Sequence, residues 1–224
     1  MSVADRHYVG EASQEYHEKK RTIPDVAVPW VARLRAEKLQ PHIQNTDTVF
    51  EFGAGYGWNL VELRCARKIA YDIAELPTAS HLGIEWIQST EAVAPEFADV
   101  VICHHALEHV LNPPETLATI RRILKKNGKL LLFVPFEKER RYRQFDPQEP
   151  NHHLYSWNAQ TLGNLVTECG YRIEQAGIGR FGYDRFAAKL AVKLRAGEGG
   201  FRLLRRAVHL VQPASEVRIV ATKP

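Results

Sequence analysis

The chain has 224 residues, a formal net charge of +4, and 45% hydrophobic and 25% charged residues. That composition excludes disordered and fibrous classes and suits one large globular domain. No apolar run reaches the roughly 18 residues of a membrane span, and the polar start MSVADRHYVGEASQEYHEKKR has no apolar leader. Cys65, Cys103 and Cys169 are too widely spaced for a disulfide framework or a zinc site, so the expectation is a cytoplasmic protein. The positive charge is local. Residues 180–210 hold eight Arg or Lys against Asp184 and Glu198 only, which argues for a basic feature near the C-terminus and against DNA binding over the whole fold.

In chain order, residues 1–44 read as an N-terminal helical arm, with a helix from Pro29 that Pro41 ends. Thr48 to Phe52 is a short β-type run that breaks into Gly53-Ala54-Gly55-Tyr56-Gly57, and Trp58 to Lys68 reads as a helix. Strands follow at Ile69–Ile73, Gly83–Gln88 and Asp99–Cys103, the last apolar enough to be buried on both faces. Pro114–Leu124 is a helix with proline in its first turn, and Lys129–Val134 is another buried strand. Ser156 is placed as the cap of a helix that Gly170 stops. The last two strands are Tyr171–Ile178 and Glu216–Ala221, with basic helical sequence between them and a flexible hinge at Gly197–Gly200. Alternating strands and helices imply an α/β fold with a mostly parallel sheet and helices on both faces. The expected organisation is one domain: arm 1–44, core 45–180, basic helical insertion 181–213 and final strand 214–224.

A glycine turn between a first strand and its helix lets a ligand approach the backbone at the carboxyl edge of the sheet. A dinucleotide fingerprint would need glycine where Trp58 stands, and no P-loop Gly-Lys-Ser/Thr follows. Instead an acid precedes G-x-G-x-G, and Asp72 at the end of the second strand can accept two hydrogen bonds from a ribose diol. Glu51-x-Gly-x-Gly-x-Gly with Asp72 resembles motif I and the second-strand acid of class I S-adenosylmethionine-dependent methyltransferases. Ala98–Ile102, Leu107-Glu108-His109-Val110 with Asn112-Pro113, and Arg122–Leu130 are similar to later passages of that family, in the same order, over roughly residues 45–180.

The resemblance implies a Rossmann-like sheet of seven strands with the last antiparallel. It implies S-adenosylmethionine as cofactor, S-adenosylhomocysteine as product, and methyl transfer to a small molecule, most of all O-methylation of a glycan-, sugar-nucleotide- or secondary-metabolite-type acceptor. Glu51, Gly53, Ala54, Gly55, Gly57, Asp72, Ile73, Ser89, Thr90 and His104 would line the cofactor site. The region after the third strand, Gln88-Ser89-Thr90-Glu91, departs from the family in lacking the usual Asp for the adenine.

For the acceptor, histidine is the base best suited to neutral pH. His105 and His153 are the catalytic candidates, one after the fourth strand and one in the loop after the fifth. Arg141, Arg143, His152 and Tyr155 are the substrate candidates, the arginines in a basic loop suited to an anionic acceptor. His105, Glu108 and His109 could offer ligand atoms from one helical face, but the carboxylate pattern of metal-using relatives is not reproduced and no metal is expected. Asn112-Pro113-Pro114 reads as a helix start rather than an amine-binding turn. The basic helices 181–211 could cover the sheet, cap the substrate, form a homodimer contact in a protein otherwise monomeric, or touch a membrane surface peripherally. Two other functions remain open on sequence: a cofactor-binding partner subunit without catalysis, and a methyltransferase of RNA or a lipid-linked substrate.

Overall fold

A computed structural model describes residues 23–74, 83–137, 144–146, 149 and 151–224. The N-terminal part of the expected arm therefore lies outside the described residues. Seven strands form one sheet: β1 (Thr48–Phe52), β2 (Arg67–Tyr71), β3 (Glu85–Ile87), β4 (Ala98–His104), β5 (Leu124–Pro135), β6 (Arg172–Arg180) and β7 (Ser215–Thr222). Their order is β3-β2-β1-β4-β5-β7-β6. The strands from β3 to β5 pair in parallel, and β7 runs antiparallel to both of its neighbours. The order reverses between β1 and β4, so the carboxyl ends of these two strands border a crevice.

Side-chain alternation along the central strands feeds two cores. Phe50, Val101, Leu130 and Leu132 pack with Leu117, Ile120, Leu162 and Val166 on one face. Val49, Val100, Ile102, Leu131 and Phe133 pack with Ala36, Leu39, Leu60 and Leu63 on the other. The first face is covered by α2 (Pro113–Ile123) and α3 (Ala159–Glu168), the second by α1 (Val28–Leu39) and the segment after the glycine turn. Proline starts α2 behind an Asn112 cap, as the sequence suggests. The cap of α3 is Asn158 rather than Ser156: Thr161 N donates to Asn158 Oδ1 at 2.9 Å, and the Thr161 hydroxyl answers the Asn158 N–H.

Trp58–Lys68 is not a helix but a run of turns, with β2 already under way at Arg67. Backbone groups that a helix would satisfy internally find side-chain partners instead. Gln40, at the end of α1, donates to Arg64 O at 3.0 Å and accepts from Arg64 N at 2.8 Å, while Lys68 Nζ donates to Val61 O at 2.8 Å. Period-like Leu60, Val61 and Leu63 are thus core anchors of a short crossover.

The basic segment between β6 and β7 forms α4 (Asp184–Lys193) and α5 (Gly197–Val211). Gly197–Gly200 is the first turn of α5, not a hinge, and Glu198 in that turn accepts from Arg33 at 2.6 Å and from Arg202 at 2.8 Å. A third core of Ile23, Ala27 and Val31 against Ala187, Ala188, Ala191 and Phe201 joins the N-terminal helix to this hairpin.

Candidate active site

At the crevice between the ends of β1 and β4 lies a cleft of about 1790 Å³. Its first wall is the glycine turn. Gly53, Gly55 and Gly57 have φ of 73°, 54° and 72°, a region glycine enters freely. Gly53 N and Ala54 N both donate to Tyr71 O at 2.9 Å, which stops the β1–β2 ladder and bends the chain away. Asp72 then receives the turn: its Oδ2 accepts from Gly55 N at 2.6 Å and its Oδ1 from Ala74 N at 2.9 Å. Gly53, Ala54, Gly55, Asp72, Ile73 and Thr90 all line the cleft. Gly57 lies behind the wall, where a Cβ would stand 3.1 Å from the Trp86 ring. Ser89 is also outside the wall; its hydroxyl accepts from Glu91 N and caps the short turn Thr90–Ala92.

Glu51 does not reach the cleft. It is fully buried, and Asn59, which does line the cleft, donates its amide to Glu51 Oε1. Arg35 Nη1 in turn donates to Asn59 Oδ1 at 3.3 Å. Burial pushes the Glu51 carboxyl up to about 8, against the opposing pull of Asn59 and Arg35. Between its ordinary value of 4.5 and about 8 the folded state therefore holds a proton that the unfolded chain has lost. Stability should fall as pH rises through that window, by on the order of a few kcal/mol in all. Glu51→Gln should flatten the slope, measured as Tm against pH for both proteins; equal slopes would contradict the assignment.

The second wall follows β4, and its histidines behave differently from one another. His104 is buried, with Nε2 2.7 Å from Lys38 Nζ. Burial first, and then the Lys38 charge, hold its ring well below the usual imidazole value, so it is neutral. His105 sits in the left-handed region at φ 55°, its ring 4.1 Å from that of Phe181. His105 Nε2 is 3.3 Å from Glu216 Oε2 and its Nδ1 is 3.7 Å from Glu108 Oε1. Burial lowers His105 to about 4 despite the Glu216 contact. Glu216 is fully buried, yet His105, Lys38 and Arg218 outweigh burial and hold its carboxyl at about 2. Lys38 donates to both Glu216 oxygens, at 3.0 and 3.3 Å. Helix α1, strand β4 and the last strand thus meet in one ionic cluster under the cleft floor.

The turn after β4 is not the helical face suggested by the spacing of His105, Glu108 and His109. Leu107–His109 is a single 3-10 turn, and His105 lies between its Glu108, at 3.7 Å, and Glu216, at 3.3 Å. What meets Glu108 and His109 is the loop after β5: Leu154 N donates to Glu108 O at 2.8 Å, which sets the His153 ring 4.9 Å from that of His109. His153 Nδ1 lies 2.8 Å from Glu137 Oε1, and both residues line the cleft. Glu137 follows the end of β5 and was not legible as a site residue, because nothing in the local sequence marks its pairing partner sixteen positions on. His152 and Tyr155 are outside the cleft wall; the Tyr155 hydroxyl donates to Leu111 O and its ring stacks on Trp157. Arg141 and Arg143 lie outside the described residues.

The methyltransferase domain family matches residues 20–176. The chain belongs to that family. The methyltransferase's fold is also that of solved structures of low sequence identity. One is a Bacillus halodurans C-125 protein assigned as a methyltransferase, with TM-score 0.63 and 17% identity, covering 85% of this chain and 98% of that one. Another is phosphoethanolamine N-methyltransferase 2 of Haemonchus contortus in complex with phosphomonomethylethanolamine and S-adenosylhomocysteine, with TM-score 0.59 and 12% identity over 86% of this chain and 52% of that one. A curated relative, the highly reducing polyketide synthase pkhB of Emericella nidulans, is 36% identical over 80 residues, 34% of this chain. The chain spans only 3% of that relative's length.

Proposed function

We propose that this methyltransferase uses S-adenosylmethionine to methylate an oxygen of a small-molecule acceptor, with His153 as general base. The observation that carries the reading is the Glu137–His153 pair at the cleft. Glu137 accepts the Nδ1 proton at 2.8 Å and orients the ring, which leaves Nε2 as the basic nitrogen. His105 is a poorer base: both of its ring nitrogens face carboxylates, and burial has already lowered its basicity.

The residues present fit the cofactor. The glycine turn, left-handed at Gly53 and Gly55, exposes backbone to the cleft, and a Cβ on Gly53 would stand 2.5 Å from that of Ala106. Bound there, S-adenosylmethionine supplies an electrophilic methyl group on sulfur. Gly53, Ala54 and Gly55 would pack against its methionyl part, and Asn59, backed by buried Glu51, would meet its ammonium. The Asp72 carboxylate keeps lone pairs for the ribose hydroxyls beside its two backbone bonds. Ile73 would cover the adenine and Thr90 would offer it a polar edge, with His104 closing the floor. His153 would then hold the acceptor hydroxyl and take its proton as the oxygen is alkylated.

An anionic acceptor suits the basic sequence around Arg141 and Arg143. The polyketide synthase relative supports a secondary-metabolite type over a sugar nucleotide. The test is transfer of label from methyl-labelled S-adenosylmethionine to paired alcohol and amine acceptors. Label is expected in the alcohol, and His153→Ala should lower kcat by about 10²–10⁴ with cofactor binding intact. An unchanged kcat, or label in the amine alone, would overturn the proposal.

A further inference from the structure

The helical hairpin between β6 and β7 carries a surface that the active site does not use. Its inner side chains are spent on the third core. Its two acidic residues are spent as well: Asp184 accepts from Arg205 at 2.7 Å, and Glu198 is held by Arg33 and Arg202. The charged side chains left exposed on the hairpin, Arg185, Lys189, Lys193, Arg195 and Arg206, are consequently all cationic.

Large apolar side chains stand among them. Phe186 is 54% exposed, Leu194 60%, Leu203 69%, Leu210 76% and Val211 88%. On α5 the helical repeat puts Leu203, Ala207 and Leu210 within about a third of a turn of one another. That line is opposite the buried Phe201 and His209. Single exposed leucines are ordinary, but five large apolar groups interleaved with five cations and no exposed acid are not a solvated face. Phe186, Lys189 and Val211 also line the cleft, so this surface continues into its rim.

We infer that the α4–α5 hairpin seats the protein on an anionic lipid surface. The apolar side chains enter the interface, the cations meet headgroup phosphates, and the cleft mouth faces the bilayer. Nucleic acid would satisfy the cations but reward none of Leu203, Leu210 and Val211. A second copy presenting the same cations would be repelled. Delivery of an amphiphilic acceptor from the bilayer into the cleft rests on the methyltransferase reading above; the surface contact itself does not. Among the described residues no helix is long and apolar enough to cross a membrane, so the attachment is interfacial.

The test is sedimentation of the full chain with vesicles of equimolar phosphatidylglycerol and phosphatidylcholine, beside vesicles of phosphatidylcholine alone. Binding is expected to the first only, and it should weaken as salt rises. Lys193→Gln with Arg206→Gln should reduce partitioning about fivefold per charge removed. Leu203→Ser with Leu210→Ser should reduce it at least about tenfold. These four positions are exposed and outside the cleft, so the thermal shift produced by S-adenosylhomocysteine should persist in both variants. Absence of binding to anionic vesicles at low salt would overturn the inference. So would unchanged partitioning of the Leu203/Leu210 variant, a dimer that this variant dissolves, or retention on single-stranded RNA without vesicle binding. Loss of the thermal shift in the unaltered protein would count against the methyltransferase reading instead.

Discussion

Gly53→Val is expected to abolish S-adenosylhomocysteine binding and to lower Tm by roughly 4–20 °C. Two costs combine at this position. A side chain at φ 73° is strained by about 1–2 kcal/mol, and its Cβ would stand 2.5 Å from Ala106 Cβ, a contact real structures do not tolerate. Relieving it means forcing β1's turn away from the chain after β4, an overpacking cost of typically 1–3 kcal/mol. At about 2–4 °C per kcal/mol for a chain of this size the sum gives the stated range. The cofactor effect is larger, because the same displacement moves the Gly55 N–H off Asp72 and closes the cleft wall. Gly83→Ala is the control. Its φ of 63° carries similar strain, but among the described residues nothing lies within 4 Å of the added Cβ, so it should cost only the strain and leave binding intact. Equal binding by the Gly53 and Gly83 variants would show that the turn does not form the site.

Glu216→Ala is expected to cost about 3–5 kcal/mol, roughly 6–20 °C in Tm. The carboxylate is fully buried and receives Lys38, His105 and Arg218. Without it the Lys38 ammonium, which burial already lowers to about 8, loses its counter-charge. Removing both buried partners should be milder than removing one: Lys38→Met with Glu216→Leu should recover much of the loss, since the cation that remains, Arg218, is 37% exposed and can be solvated. The pH response has a definite sign. With a folded value of about 2 against an ordinary 4.5, Glu216 contributes stability that is fully present above about 4.5 and is lost as pH falls toward 2. Acid unfolding of Glu216→Gln should lack that component. A Glu216→Ala variant as stable as the parent would remove the cluster from the account.

How much of this could be read from sequence depended on range. β1 was legible to the residue, because Thr-Val-Phe-Glu-Phe ends at a glycine turn that can only bend; continuous apolar runs marked the doubly covered parts of β4 and β5, but not the polar start of β5, which begins at Leu124 rather than Lys129. The helix expected after Gly57 failed for a long-range reason: Gln40, in another element, supplies the hydrogen bonds that a helix would have made. Where the chain is local, at Gly53–Gly55 and Asp72–Ile73, the residues singled out in the sequence do line the cleft. Glu51 is separated from the cleft by Asn59, and Ser89 is the cap of a short turn. The histidines were visible as types in plausible loops. Which of them is free to act depended on Glu137, Glu216 and Lys38, whose contacts span 16, 111 and 66 positions. No periodicity carries that information.

Cofactor binding at the glycine turn is tested most directly by thermal unfolding with S-adenosylhomocysteine, beside NAD as control. At 100 times the dissociation constant, binding should add about 2.7 kcal/mol, a rise of roughly 5–11 °C. A rise with S-adenosylhomocysteine alone, absent in Gly53→Val and retained in Gly83→Ala, is the predicted result. No rise at millimolar ligand, or an equal rise with NAD, would contradict it.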